Sequence, residues 1–343
     1  MRIAPDELIN VTSQIFAAAG CSEEEANRVG RHLVEANLVG HDSHGVIRIK
    51  PYIEWLRDGL VVPNQTIEVV FENDVMAVVD GCSGFGQSIG EQAVQMGIDK
   101  CSKYGVSAIA LRHVGHLGRI GDWPQMAAEA GKFSLHYVNT SGKGLLVAPF
   151  GGIERRMSAN PIAAGVPVDG RDPIVLDISA CMIAEGKIKV ALNKGVQLPE
   201  GCIIDAKGNP STDPGTFYSD PGAILPFGAH KGYGLGIIAE MMAGALTGGD
   251  CTNPKNADRL HNGMLSIYLD PSFFADKTEL QAEIKRFIDY VKTSAPVTPD
   301  GDILMPGEIE ARNRTDRTAN GIELDDNTWQ QIVETASGLG IEV

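Results

Sequence analysis

The chain has 343 residues, with 29 Lys and Arg against 44 Asp and Glu, for a formal net charge of −15. With 43 % hydrophobic and 21 % charged residues the composition is globular, which excludes a disordered or fibrous chain. A net anion is repelled by nucleic acid and by anionic membrane surfaces, so neither is an expected partner. Helices are predicted at about 5–19 and 22–38, the second opened by a capping box of Ser22 and Glu25. The stretch 43–58 has helical spacing that Pro51 should kink or divide. Strands 66–72 and 75–80 turn at Asn73 and Asp74. Helix 87–103, strand 106–111, helix 122–130 and strand 133–138 then alternate in an α/β pattern. Strands at 162–168 and 173–178 and a helix around 182–191 follow. Residues 194–225 carry many Gly, Pro and Asp and read as a long loop. A buried helix at 233–246, a strand at 264–269, an amphipathic helix at 278–292 and a last helix at 325–336 complete the prediction.

The length exceeds what one core usually supports, and no linker interrupts it, so interleaved lobes are expected. No run of about 18 apolar residues is present, and the first residues lack the order of a signal peptide. The six cysteines are scattered without C-x-x-C, which suits reduced thiols in a cytoplasmic protein and disfavours a zinc knuckle. Forty glycines exceed the usual ~7 % and point to many turns or to close backbone approach to a ligand. A G-x-G-x-x-G fingerprint is missing: Gly84-Phe85-Gly86 and Gly232-Tyr233-Gly234 both fail at the third glycine. P-loop, G-x-S-x-G and H-E-x-x-H patterns are missing too.

Several local constellations remain. In His41-Asp42-Ser43-His44-Gly45-Val46-Ile47-Arg48, a helix begun at Ser43 would put His44 and Arg48 on one face. Arg suits a small carboxylate, and His can exchange the proton of a neighbouring hydroxyl. Equally, Ser43 could cap a helix whose solvated face carries both residues. His113-Val114-Gly115-His116-Leu117-Gly118-Arg119-Ile120-Gly121 lies between a strand and a helix. Its glycines and Arg119 fit phosphate cradling, or it is a Gly-rich turn. The pairs His41/His44 and His113/His116 are H-x-x-H, but each sits beside an Arg and no carboxylate completes a ligand set, so no metal is expected. Asp177-Ile178-Ser179 at a strand end could meet ribose or phosphate, or be an ordinary strand end. Lys231, in Gly228-Ala229-His230-Lys231-Gly232, could bind an anion at a helix start or merely lie in a loop. Met305-Pro306-Gly307-Glu308 is a turn by composition.

Taken together, the segments at 36–49, 113–121, 147–152, 173–179, 228–236 and 305–308 resemble, in order, the malate/L-lactate dehydrogenase family of type 2, near its hydroxycarboxylate dehydrogenase B branch. The resemblance covers nearly the whole chain. It implies an α/β, non-Rossmann nicotinamide-binding fold with a largely antiparallel sheet and a helical lobe formed by both chain ends. The expected lobes are 1–65 with 310–343 (helical), 66–125 with 270–309 (substrate side) and 126–269 (cofactor-binding sheet). It further implies a homodimer and a nicotinamide cofactor; the net acidic charge leans to NAD, with NADP open. By the resemblance His44 is the acid/base, Arg48 the carboxylate ligand and Ser43 the partner that orients His44, while His116 meets the cofactor or is itself the acid/base. Gly118, Arg119, Ile120, Asp177, Ile178, Ser179, His230, Lys231, Pro306, Gly307 and Glu308 are implied cofactor contacts. The implied reaction moves a hydride between NAD(P) and a 2-hydroxy acid/2-oxo acid pair. The alternatives are a cyclic imino-acid reductase of the same family and a non-catalytic nucleotide-binding relative. Two departures stand out. Ser158-Ala159-Asn160-Pro161 replaces a G-T-N-P, removing a hydroxyl, and Asn193-Lys194 replaces an Asp that the imine reductases carry.

Overall fold

The computed structural model describes residues 1–343 apart from 143, 220 and 257, and apart from the side chains of 193, 194 and 256. The departure at Asn193 and Lys194 thus lies outside the described side chains. The chain ends meet first. Strand β1 (Arg2–Ile3) pairs antiparallel with β12 (Ile322–Glu323). Helices α1 (Pro5–Ala18), α2 (Glu23–Leu38), α3 (Ile49–Arg57) and α11 (Asp326–Gly338) close over one apolar core that holds Leu8, Phe16, Leu33, Tyr52, Ile322 and Ile332. Burying large apolar side chains from both ends is what ties the ends together.

Two details at this end depart from the sequence reading. Ser22 does cap α2, its Oγ accepting from the Glu25 amide at 3.2 Å. The return half of the box is made through Asn64 instead. Its amide donates to Glu25 Oε2, and its Oδ1 accepts from the Ser22 amide, both at 2.6 Å. The second departure is larger. Residues 43–58 do not form one helix: 3-10 turns at Asp42–His44 and Val46–Arg48 break at Gly45, and α3 starts only at Ile49. Buried Asn37 causes the break, taking the Val46 amide on Oδ1 at 2.8 Å and donating from Nδ2 to Asp42 Oδ1 at 2.7 Å. Pro51 falls in the first turn of α3, where its missing N–H has no helical partner to lose.

The main sheet has the order β2-β3-β4-β11-β5-β6-β7 among the described residues. Its strands are β2 (Glu68–Glu72), β3 (Met76–Asp80), β4 (Val106–Val114), β5 (Phe133–Gly142), β6 (Ile162–Val166), β7 (Ile174–Ile178) and β11 (Leu260–Leu269). Every pairing is antiparallel except β3 with β4. The β2–β3 hairpin turns where predicted, with Asn73 Oδ1 accepting from the amides of Val75 and Met76 at 3.0 and 2.7 Å. Helices α4 (Gly86–Tyr104) and α5 (Asp122–Glu129) cover the sheet over a core with Val79, Ile89, Trp123, Val138 and Tyr268. Sheet and core draw on residues from both sides of the expected lobe boundary at 125/126.

Beyond the sheet, α6 (Glu185–Lys194) starts three residues later than predicted. The expected loop after it contains α7 (Pro214–Ser219) and a small sheet of β8 (Ile203–Ile204), β9 (Pro210–Ser211) and β10 (Ala223–Ile224). Helix α8 (His230–Glu240) runs into a π-turn at Met241–Ala245 and packs on β5. Helix α9 (Lys277–Lys292) agrees with its prediction to one residue. Helix α10 (Glu308–Asn320) was not predicted, because it has no apolar stripe and no buried residue. Polar contacts hold it instead. Arg314 pairs with Glu35, Arg317 Nη1 reaches Asp42 Oδ1 at 2.6 Å, and Glu310 Oε1 meets His41 Nε2 at 3.1 Å. Among the described residues no helix is long and apolar enough to cross a membrane.

Candidate active site

The site is assembled where the Asn37-pinned turns meet the segment after β4. His44 and Arg48 do converge, but through consecutive 3-10 turns and not along a helix face. Arg48 Nε donates to the Ser43 carbonyl at 2.7 Å, and Ser43 Oγ lies 3.1 Å from His44 Nδ1. The His44 and His116 rings stack nearly parallel, 5.6 Å apart at 10°. Tyr52 Oη lies 2.7 Å from His116 Nδ1, and Gln87 Nε2 donates to the same oxygen at 3.0 Å. Burial pushes His116 down to about 3, with the Arg48 cation adding to the effect. Burial also drives His44 well below the usual histidine value, with His116 and Arg48 reinforcing it. Both rings are therefore neutral near pH 7.

A second loop closes this corner. Gly186, in the first turn of α6, lies so close to Ser43 that a Cβ there would fall 2.6 Å from the serine Cβ. Only glycine allows the start of α6 to sit on the Ser43–His44 turn.

The two histidines of each H-x-x-H pair go separate ways. His41 faces Glu310 and His44 faces Ser43. His113, with φ +50, donates from Nδ1 to Asp80 Oδ2 (2.8 Å), while His116 turns to Tyr52. Among the described residues no group of three or more His, Cys, Asp or Glu is placed to hold a metal ion.

The expected cofactor residues form a band along β7. Gly118, Arg119 and Ile120 are buried. The phosphate-facing charge expected of Arg119 is absent: its guanidinium turns inward, Nη1 donating to Asp122 Oδ1 at 2.8 Å. Asp122 in turn meets His32 Nδ1 at 2.9 Å, so Arg119 belongs to a buried ion-pair network. The Gly121 amide donates to Asp177 Oδ2 at 2.7 Å and joins this segment to β7. Burial raises the Asp177 carboxyl above its ordinary value, against opposing pulls from His41 and Arg119.

Ile178 and Ser179 line a cleft of about 270 Å³ with Cys181 and Phe227. The segment after it docks on the start of α8, the Phe227 amide donating to the Ala180 carbonyl at 3.1 Å. A Cβ on Gly232 would strike the carbonyls of Phe227 at 2.4 Å and Ala180 at 2.7 Å, so this docking also depends on glycine. His230 and Lys231 are exposed on the first turn of α8, behind a strained turn in which non-glycine Ala229 has φ +57. Pro306, Gly307 and Glu308 lie at the other end of β7, where the Val175 amide donates to the Pro306 carbonyl at 3.1 Å. Glu308 is held by Arg171, by Lys292 Nζ at 2.7 Å and by the Met305 amide at 3.0 Å. Although desolvation opposes it, these donors pull its carboxyl down to about 2. A larger hollow of about 930 Å³ lies beside the β2–β3 turn and α4 and touches none of these residues.

In the altered 158–161 segment, Ser158 Oγ donates to Asn160 Oδ1 at 2.5 Å, and Asn160 Nδ2 reaches Glu240 Oε2 at 2.7 Å. The Ser158 hydroxyl is therefore committed inward. Sequence reasoning missed Asn37, Tyr52, Gln87 and Glu240. Tyr52 follows Arg48 by four residues and had a local signal, but Gln87 is 35 residues from Tyr52 and had none.

A family description of malate/L-lactate dehydrogenases matches residues 3–333. Hydroxycarboxylate dehydrogenase B of Escherichia coli strain K12 is 38 % identical over 332 residues, covering 95 % of this chain and 91 % of that protein. The L-lactate dehydrogenase of Cupriavidus necator is 35 % identical over 347 residues, covering 100 % and 99 %. Among solved structures, sulfolactate dehydrogenase from Methanocaldococcus jannaschii superposes with a TM-score of 0.88 at 34 % identity, covering 100 % of this chain and 98 % of that one. With the match running through both chain ends, the sheet and the paired histidines, the chain belongs to the malate/L-lactate dehydrogenase family.

Proposed function

We propose that the protein is an oxidoreductase that interconverts a 2-hydroxy acid and a 2-oxo acid with a nicotinamide dinucleotide. The observation that carries this reading is the grouping of Arg48 with the stacked His44 and His116 rings on the turn that the start of α6 covers. Arg48 offers a planar fork to the substrate carboxylate. His44, held through Nδ1 by Ser43, keeps Nε2 to take the hydroxyl proton in oxidation or return one in reduction. The bound cofactor accepts or supplies the hydride at C2. In oxidation the C2–H pair leaves as hydride, the O–H proton goes to His44, and the O–H pair becomes the carbonyl π bond. A carboxylate on Arg48 offsets the cation that depresses His44, so seating the substrate raises the proton affinity of the ring.

The residues present fit such a cofactor. The cleft at Ile178, Ser179, Cys181 and Phe227 adjoins the glycine-dependent start of α8, where exposed Lys231 and the positive end of the helix suit a phosphate. Asp177 and the 306–308 turn flank the same strand. NAD is the proposed form, because the net charge of −15 weighs against the extra phosphate of NADP. Six free cysteines support a reducing, cytoplasmic setting. A homodimer is proposed on the apolar face of α8 and its continuation, where Leu235, Ile238, Met241 and Leu246 are 38–64 % exposed.

The test follows NADH and NADPH absorbance with pyruvate, oxaloacetate, 2-oxoglutarate, phenylpyruvate and a cyclic imino acid. Consumption with one or more of the oxo acids is the expected result. Turnover with the imine alone, or cofactor binding with no turnover, would replace this reading.

A further inference from the structure

Gln87, Tyr52 and His116 form a buried chain of hydrogen bonds that ends at the stacked imidazoles. Tyr52 and Gln87 are each 1 % exposed. The phenol oxygen lies 2.7 Å from His116 Nδ1 and accepts from Gln87 Nε2 at 3.0 Å. A phenol has one proton. With its oxygen accepting from Gln87, that proton points to His116 Nδ1, so the imidazole carries its own hydrogen on Nε2. Gln87 Oε1 is buried without a partner. Reversing the amide would give that oxygen the phenol proton but bury an NH₂ group with both hydrogens unpaired. Orphaned donors are the rarer of the two in folded proteins. Among the described residues no protein group engages His116 Nε2, which leaves it for a ligand.

We infer that Tyr52 and Gln87 are positioning residues that hold His116 as its Nε2–H tautomer, a fixed hydrogen-bond donor to the substrate oxygen at C2. This rests on the hydroxy-acid reading above and deepens it. The two stacked rings then have opposite polarity. Proton acceptance at His44 Nε2 requires the other tautomer, with Nδ1–H turned to Ser43 Oγ at 3.1 Å, while His116 donates and transfers no proton. His116 is suited to that part, since a ring kept neutral far below pH 7 gives a hydrogen bond without losing its proton. Negative charge on the C2 oxygen grows in reduction, and a donor fixed in advance stabilises it there.

The experiment reads the tautomer directly. In protein labelled with ¹⁵N-histidine, long-range ¹H–¹⁵N spectra distinguish a protonated Nε2 from a protonated Nδ1, and loss of the signal in His116→Gln assigns it. Wild-type His116 should show Nε2–H. A carboxylate at position 87 can only accept, so Gln87→Glu should draw the phenol proton and reverse the chain. His116 would then move to Nδ1–H, and kcat for oxo-acid reduction should fall about 100-fold with KM little changed. Tyr52→Phe should lose the fixed tautomer and lower kcat about 10- to 100-fold. A role in packing alone would lower the melting temperature of Tyr52→Phe while leaving the tautomer and kcat of folded protein unchanged. Wild-type protein with Nδ1–H, or folded variants with an unmoved tautomer, would overturn the inference. If neither variant folds, the wild-type spectrum still decides it. The tautomer is read without turnover, so it stands or falls apart from the identity of the substrate.

Discussion

Arg48 and His44 are bound to one short turn, and each limits what the other can do. The Arg48 side chain already gives Nε to the Ser43 carbonyl, so its remaining nitrogens must grip a carboxylate. Arg48→Lys keeps the charge and loses the fork. Losing a hydrogen bond between charged groups removes about 1.5–3 kcal/mol, so KM for the acid should rise about 10- to 100-fold, with cofactor binding unchanged. An unchanged KM would take the carboxylate away from Arg48. At this scale the sequence was informative about residue types. His44 and Arg48 were paired by local spacing, Ser43 and His116 took their roles from the family resemblance, and the fold brings the four together. Arg119 shows where such reading stops. Its position between glycines suggested a phosphate ligand, but its direction is set by Asp122 and His32, the latter from a helix 90 residues away from Asp122. No local pattern carries that information.

Among elements, those with a strong apolar period were legible and those without one were not. Helices α1, α2, α4 and α9 lie within a residue or two of their predictions, because one face of each is apolar. Helix α10 has no such face and was missed, although its ion pairs to Glu35, His41 and Asp42 make it the strap between the 306–308 turn and the His44 turn. The 43–58 stretch has the right period but becomes α-helix only from Ile49, because Asn37 competes for the backbone before it. Helix α8 is apolar on all sides, which signals burial on two faces. One face lies on β5, and the other is exposed at Leu235, Ile238 and Met241. If a second copy covers it, sedimentation equilibrium should give twice the chain mass, and Ile238→Asp should yield monomers. A wild-type monomer, or a dimer indifferent to that charge, would remove the proposed interface.

For the whole molecule, the ends-together core and the mixed sheet set stability as well as the site. In the middle of the sheet His136 is fully buried, with Nδ1 2.8 Å from Ser266 Oγ and Nε2 3.0 Å from Ser134 Oγ. Burial pushes it down to about 3. An unfolded histidine binds a proton near pH 6.5, and the folded one does not until far lower, so the unfolded state holds the extra proton between these values. Stability should therefore fall as the pH is lowered from about 6.5 towards 3, by about 1.4 kcal/mol per pH unit from this residue. Urea unfolding at pH 7 and pH 5 measures the loss, and His136→Gln should reduce it by that increment. An identical pH dependence in the variant would show that His136 is not the group responsible. Interleaved lobes were expected from the missing linker, but the continuous sheet across 125/126 was not. Strand partners as distant as β4 and β11 are chosen by packing over the whole chain, which a local pattern does not report.

Proton transfer in the proposed reaction depends on His44. Its most direct test is kcat of His44→Ala with a turned-over 2-oxo acid, alongside NADH binding. The expected result is a loss of about 10²–10⁴-fold in kcat with NADH binding retained, the size of a missing general acid–base. An unchanged kcat would contradict this role of His44 and move proton transfer to His116.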